Sequence, residues 1–181
     1  MHYYGLRHLM RREAYILLGL AAIGFLFRKK IVATVKQLSA QGLALIKRHE
    51  GLRLSVYMDA AGKPTIGYGH LIKPGETFPP AITEAEAERI LLRDTQIAQN
   101  AVRNNVKVPI NQNQFDALVS LVFNIGAGAF EKSTLLRLLN QGFYNAAAEQ
   151  FLAWKRAGSH PDILLPRRRK EKELFETGAT S

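Results

Sequence analysis

Apolar residues recur at helical spacing through Val35, Leu38, Gly42, Leu45 and Ile46. This predicts a helix running up to His49-Glu50, where Gly51 stops it. The period then changes. In "RLSVYMD" the apolar residues alternate as Leu54, Val56 and Met58, which predicts a strand. "AAGKP" supplies turn residues, and "TIGYGH" predicts a second strand, with Thr65, Gly67 and Gly69 on one face and Ile66 and Tyr68 on the other. "IKPGETFPP" reads as a loop. Thr83 and Glu86 make a capping box. It opens a long helix to about Asn104 that buries Ala87, Ile90, Leu91, Ile97, Ala98, Ala101 and Val102. Further helical patterns cover 111–124, 131–141, 143–157 and 166–175, separated by Gly126, Gly128, Gly142 and Gly158. The fold class is therefore α+β and mostly α, with a small β-hairpin lobe joined to a larger helical lobe.

The N-terminal stretch has a different pattern. Ala14 to Phe27 is uncharged and mostly apolar, with Arg11 and Arg12 before it and Arg28, Lys29 and Lys30 after it. Fourteen residues of helix span about 21 Å, against about 30 Å of bilayer hydrocarbon. The segment is short for a span, and Arg and Lys at both ends can snorkel to the interface. Charges outside and none inside suit a membrane better than a protein core. A secretory signal fits the basic flank, but the nearby small-x-small site, Ala22-Ile23-Gly24, runs straight into basic residues. The pattern predicts a division into a basic, apolar anchor segment at 1–33 and a globular domain at 34–181.

Composition and charge narrow the classes. The 181 residues suit one domain, and 47% hydrophobic with 22% charged residues is a globular balance. Without Cys there is no disulfide framework, thiol nucleophile or Cys-based metal site. The net charge of +10 is uneven: residues 1–36 hold seven Lys/Arg against one Glu, and Arg167-Arg168-Arg169-Lys170 is a second concentration. A basic balance can favour nucleic acid, anionic lipid or an anionic polysaccharide. No recognised DNA- or RNA-binding motif is present, so nucleic acid is not an expected partner.

The stretch "HEGLRLSVYMDAAGKPTIGYGH" carries the candidate chemistry. Taken singly, Glu50 is a surface acid, Asp59 a turn former and Thr65 a strand residue. Together they suit glycosidic cleavage, which needs one carboxyl that holds a proton and another that is ionised. Leu45, Ile46 and Leu52 give Glu50 an apolar setting, whereas Asp59 opens a turn where backbone N–H groups and solvent reach it. The hairpin folds Thr65 back toward both, with a hydroxyl able to hold water.

The full string "EGLRLxxYxDxxGxxTIGxGH" resembles the phage-type lysozymes, the endolysins of glycoside hydrolase family 24. "TEAEAERILLRD" resembles that family's inter-lobe helix, "NQFDALVSLVFNIGAGAFEKSTLLRLLNQG" its C-terminal lobe, and "RRRKEKELFETG" its closing helix. The resemblance covers about residues 38–178. It implies a lysozyme-like two-lobed fold with a cleft between the lobes, and cleavage of the peptidoglycan β-1,4 bond between N-acetylmuramic acid and N-acetylglucosamine. The family's catalytic Glu, Asp and Thr fall on Glu50, Asp59 and Thr65, with Glu50 as general acid and Asp59 and Thr65 activating water. Inversion, with which the family is associated, needs about 6.5–9.5 Å between the carboxyls. No metal or cofactor is required.

The resemblance also places Leu71, Phe123, Ser133 and Gln150 as substrate contacts. It makes His70 a structural hydrogen-bonder and puts an arginine beside the catalytic Glu. Arg167 is the choice, with Arg168 and Arg169 as alternative registers because Ile163-Leu164 stand where a Gly-Leu pair is usual. A monomer is expected. In related endolysins an N-terminal apolar segment is a signal-anchor-release element. Residues 14–27 would then hold the enzyme at the inner membrane before periplasmic release, the alternative being a host cytoplasmic enzyme that waits for a holin. A lytic transglycosylase or a non-catalytic glycan-binding module is the rival reading. The first has no need of Asp59 and Thr65, and the second has no need of Glu50.

Overall fold

The computed structural model describes residues 36–177. The anchor segment expected at 14–27 lies outside these residues.

Helix α1 (Ala40–Glu50) is capped by Ser39, whose side chain accepts from Gly42 N. It ends where Gly51, at φ 72°, takes a conformation that L side chains resist. Three antiparallel strands follow in the order β1-β2-β3: β1 (Arg53–Met58), β2 (Pro64–Gly67) and β3 (His70–Leu71). The expected hairpin is thus a three-stranded sheet. Its register pairs Tyr57 with Thr65 and Thr65 with Leu71, so Thr65 sits centrally. Both faces of β2 are covered, since Thr65 and Ile66 are buried alike. The alternating residues of β1 remain exposed: Leu54 at 39%, Val56 at 47% and Met58 at 63%. Alternation marked the strand correctly, but β1 is an edge strand with little laid over it.

The predicted long helix is two, α2 (Glu84–Asp94) and α3 (Gln96–Asn105), parted at Thr95. The Thr83–Glu86 capping box is present. Thr95 Oγ1 donates to Leu92 O at 2.8 Å, a side-chain bond back into the preceding turn that competes with the regular ladder. The buried stripe runs through Ala87, Leu91, Thr95, Ala98 and Val102, with Gln99 beside it. Ile97 falls off this stripe and is 72% exposed, contrary to expectation. Two polar residues, Thr95 and Gln99, occupy positions that hydrophobicity alone would not assign to the core.

Helix α4 (Gln112–Ile125) forms the centre. Every residue from Gln114 to Val122 is buried, as expected of a helix surrounded on all sides. Gly42 lets α1 approach it: a Cβ there would lie 2.7 Å from Asp116 Cβ. Asp116, fully buried, accepts from Ser39 N at 3.1 Å, from the Ser39 hydroxyl, and from Gln112 Nε2 at 2.9 Å. The short helix α5 (Ala127–Glu131) occupies a stretch where no helix was expected. Helices α6 (Thr134–Asn140) and α7 (Tyr144–Glu149) follow, then a 3₁₀ turn (Gln150–Trp154). The last helix, α8 (Leu165–Glu176), has Pro166 in its first turn, where no N–H is needed. It packs on α4 through Arg167, Arg168, Glu171, Leu174 and Phe175, a helical stripe that is charged at one end and apolar at the other.

Candidate active site

Glu50 is the last residue of α1, and its carboxylate meets an arginine. Arg167 Nη1 donates to Glu50 Oε1 at 2.7 Å. This fixes the arginine register at Arg167 and replaces the apolar setting expected from Leu45, Ile46 and Leu52 with an ion pair. The β2–β3 turn passes beside the same group, since a Cβ on Gly69 would stand 4.0 Å from Glu50 Oε2. Glu50 keeps 23% of its side chain exposed, whereas Arg167 keeps 7%. The acid is thus open on one side and held from behind.

Asp59 follows β1 and organises the turn. Its Oδ1 accepts from Ala61 N and from Lys63 N, both at 2.8 Å. Its own N–H donates to Lys63 O at 2.9 Å. Both side-chain bonds fall on Oδ1, and among the described residues no donor is found for Oδ2. Gly62 closes the turn at φ 72°. Thr65, on β2, is 2% exposed and donates to Lys63 O at 3.0 Å. Lys63 therefore ties both residues together: its N–H holds Asp59 and its carbonyl orients the Thr65 hydroxyl, whose lone pairs remain available to accept from water.

Behind Glu50 lies a buried polar cluster that spacing alone did not reveal. Arg167 Nε donates to Glu171 Oε1 at 3.1 Å, and Arg167 Nη2 donates to Ser120 O at 3.3 Å. Glu171 Oε1 also receives Ser120 Oγ at 2.7 Å and Arg168 Nη2 at 3.0 Å. Arg168 and Glu171 are both fully buried. Arg168 Nε and Glu171 Oε2 lie 2.9 Å apart as an ion pair, yet neither atom reaches hydrogen-bond geometry. Burial pushes the Glu171 carboxyl up, against the pull of Arg168 and Arg167. Burial also draws the Arg168 guanidinium down to about 10. His49, next to Glu50, is drawn down to about 4 by burial and then by Arg167, Arg168 and Arg48. The i, i+4 spacing of Arg167 and Glu171 was the available signal for this cluster, but it reads equally well as a solvated pair.

The remaining expected residues are dispersed. Leu71, 45% exposed, is paired with Thr65 and so lies beside the candidate site. Phe123 on α4 is partly buried against the core. Ser133 caps α6 by accepting from Leu136 N at 3.0 Å and is itself buried. Gln150 lies at the α7–3₁₀ junction. His70 is 4% exposed and held between Asp94 (Nδ1, 2.7 Å) and Glu76 (Nε2, 2.9 Å), pinning the loop after β3 to α2. A cavity of about 360 Å³ lies on α2, lined by Phe78, Pro79, Ile82, Ile90, Arg89 and Arg93 among others, and neither Glu50 nor Asp59 touches it. Among the described residues no cluster of His, Asp and Glu is placed to hold a metal ion.

The phage lysozyme family model matches residues 47–171, which contain Glu50, Asp59, Thr65 and Arg167. The chain belongs to the phage lysozyme family. The endolysin of Salmonella phage P22 is 51% identical over 142 residues, covering 77% of this chain and 97% of that one. A crystal structure of a P22 lysozyme mutant superposes with a TM-score of 0.72 at 49% identity, again over 77% of this chain and 97% of that one. An SAR-endolysin of bacteriophage PS119 is 38% identical over 129 residues, covering 69% of this chain and 75% of that one. The lysozyme-like α+β fold expected from the sequence is the observed one. The chain is a glycoside hydrolase, a lysozyme that breaks down peptidoglycan.

Proposed function

We propose that this lysozyme is a muramidase that hydrolyses the β-1,4 bond between N-acetylmuramic acid and N-acetylglucosamine, with Glu50 as general acid and Asp59 and Thr65 directing the attacking water. The observation that carries the reading is the placement of the three side chains. Arg167 fixes Glu50 at the end of α1 while leaving it partly exposed, and Lys63 ties Asp59 and Thr65 together at the start of β2. A proton on Glu50 passes to the glycosidic oxygen as the bond to the anomeric carbon breaks. Water adds to that carbon, and its proton goes to Asp59. Thr65, fixed by the Lys63 carbonyl, accepts a hydrogen bond from the same water. Leu71, exposed and paired with Thr65, contacts the glycan, and no metal or cofactor takes part.

Mass spectrometry of the digested wall tests the reading. Hydrolysis yields reducing N-acetylmuramic acid, heavier by one water than the anhydro product of a lytic transglycosylase. Anhydro product alone overturns the two-carboxylate mechanism.

The same proposal places residues 14–27 in the inner membrane as a signal-anchor from which a monomeric enzyme is released to the periplasm. The apolar pattern with basic flanks supports it, as does similarity to a protein named as an SAR-endolysin. Fractionation with intact-mass measurement tests it. A fully soluble cytoplasmic protein that lyses cells only with a co-expressed holin contradicts the anchor and leaves the chemistry standing.

A further inference from the structure

The Arg167 guanidinium is engaged by three different groups at three different nitrogens. Glu50 takes Nη1, the Ser120 carbonyl takes Nη2 and Glu171 takes Nε. Of the three anchors, only Glu171 is both charged and fully buried. Glu171 sits one turn along α8 from Arg167, so the helix sets their spacing. Glu171 is itself located by Ser120 Oγ on α4, which ties α8 to the central helix at this point. A long, rotamer-rich side chain is thereby reduced to one orientation before any substrate arrives, the condition under which a charged group acts on a reaction without reorganising.

The charge arrangement points the same way. Arg167 and Arg168 are adjacent and nearly or wholly buried, and two buried cations side by side need a buried anion. Glu171 is that anion, in contact with both. Without its charge, two unbalanced guanidinium groups would be left buried behind Glu50, and Arg167 would lose the anchor that holds its Nε. His49 on α1 also faces these arginines, and Glu50 is the other carboxylate on the cluster.

We propose that Glu171 is a positioning residue, which aims the Arg167 guanidinium at Glu50 and offsets the buried charge of Arg168. The inference rests on the reading of Glu50 as general acid.

The test is steady-state kinetics of the full-length chain on a soluble peptidoglycan oligosaccharide. Glu171→Gln keeps the shape and removes the charge. Its kcat should fall about tenfold or more with KM little changed, because substrate contacts are intact. Glu171→Asp, which restores the charge, should recover part of the lost kcat. A folded Glu171→Gln enzyme with wild-type kcat and KM overturns the proposal.

If Glu171→Gln does not fold, the charge-balanced double variant Arg168→Met/Glu171→Met replaces the buried pair with side chains of similar volume, an exchange that proteins often tolerate. It should also lose kcat with KM retained, and unchanged kcat overturns the proposal. In the wild-type protein the Arg167 Nε–H should exchange with solvent far more slowly than that of exposed Arg169, and equal rates overturn the aiming role without any variant. Glu50→Gln separates the two readings. If it is inactive while Glu171→Gln is normal, only the positioning role fails. If it is active, the acid assignment itself fails.

Discussion

Arg167 Nη1 and Glu50 Oε1 lie 2.7 Å apart although 117 residues of chain separate them. The bond joins α8 to α1 at the point where the proposed chemistry begins. Arg167→Lys keeps the charge but loses the three-nitrogen fork that meets Glu50, Ser120 and Glu171 together. Its kcat should fall by about 10²-fold, the scale of a misplaced catalytic group. Arg167→Met also strips Glu171 of one buried partner and should cost about 3–5 kcal/mol of stability, as breaking a buried pair does. Thermal melts beside kinetics separate the two effects, and a Lys variant with full kcat would contradict the geometry.

The proposed acid and base make a stronger demand. Glu50→Gln and Asp59→Asn are nearly isosteric and leave the fold intact. Each removes proton transfer, so lysis should fall by about 10²–10⁴-fold, and thermal melts run beside the assay separate lost chemistry from the lost Arg167 pairing of Glu50→Gln. A Glu50→Gln enzyme that retains more than about a tenth of wild-type activity is incompatible with general-acid catalysis on that scale.

Local signals in the sequence were reliable where a single residue type has a single physical use. Gly51 stops α1 because it takes positive φ, and Thr83 with Glu86 caps α2 because both side chains find orphan N–H groups. The failures share one cause, namely that neighbours in space decided the outcome. Ile97 is apolar but points away from a stripe in which Thr95 and Gln99 are buried. Leu54, Val56 and Met58 alternate correctly yet lie on an edge strand with little over them. At the proposed site, the resemblance left three registers for the arginine beside Glu50, and the fold pairs Arg167 with it. Glu171, Ser120 and His49 had no distinguishing pattern because their significance lies in what surrounds them.

His49 supplies a pH prediction. Its imidazole is drawn down to about 4 by burial and by Arg167, Arg168 and Arg48. In the unfolded chain an ordinary imidazole takes its proton near pH 6.5. Between those values the unfolded state binds more protons, so the stability contribution is complete above about 6.5 and is lost as pH falls toward 4. The carboxyls held below their ordinary range, Glu76, Glu86 and Glu173, lose their contribution only from about pH 4.5 downward, at the foot of this window. The melting temperature should therefore decline between about pH 6.5 and 4, and His49→Gln should flatten that part of the curve. Identical slopes for the two proteins would show that His49 is not the group responsible.

Gly42 is the contact on which α1 rests. A Cβ there would lie 2.7 Å from both Asp116 Cβ and Cγ and from Leu38 Cδ1. Gly42→Ala improves helix propensity yet forces α1 away from α4, so it should destabilise by about 1–3 kcal/mol, the usual cost of overpacking. Because α1 ends at Glu50, the same shift should lower kcat. A variant that melts at or above the wild-type temperature would mean that the two helices separate without strain.

Control by the N-terminal segment gives the last prediction. Ile16, Leu17, Leu18, Leu20, Ile23, Phe25, Leu26 and Phe27 are strong insertion formers, while Ala14, Gly19, Ala21, Ala22 and Gly24 add little. Over about 21 Å the balance is favourable but small, so a modest loss of driving force frees the segment. Gly19→Leu with Gly24→Leu should favour insertion by about 1–2 kcal/mol, roughly a tenfold shift in population. That variant should stay in the membrane fraction and lyse cells late. Deletion of residues 1–30 should give an enzyme that digests added walls but does not lyse the cell that makes it, because it stays on the wrong side of the inner membrane. Early lysis by the double-leucine variant would rule out release of this segment as the timing step, while the assignments of Glu50, Asp59 and Thr65 would be unaffected.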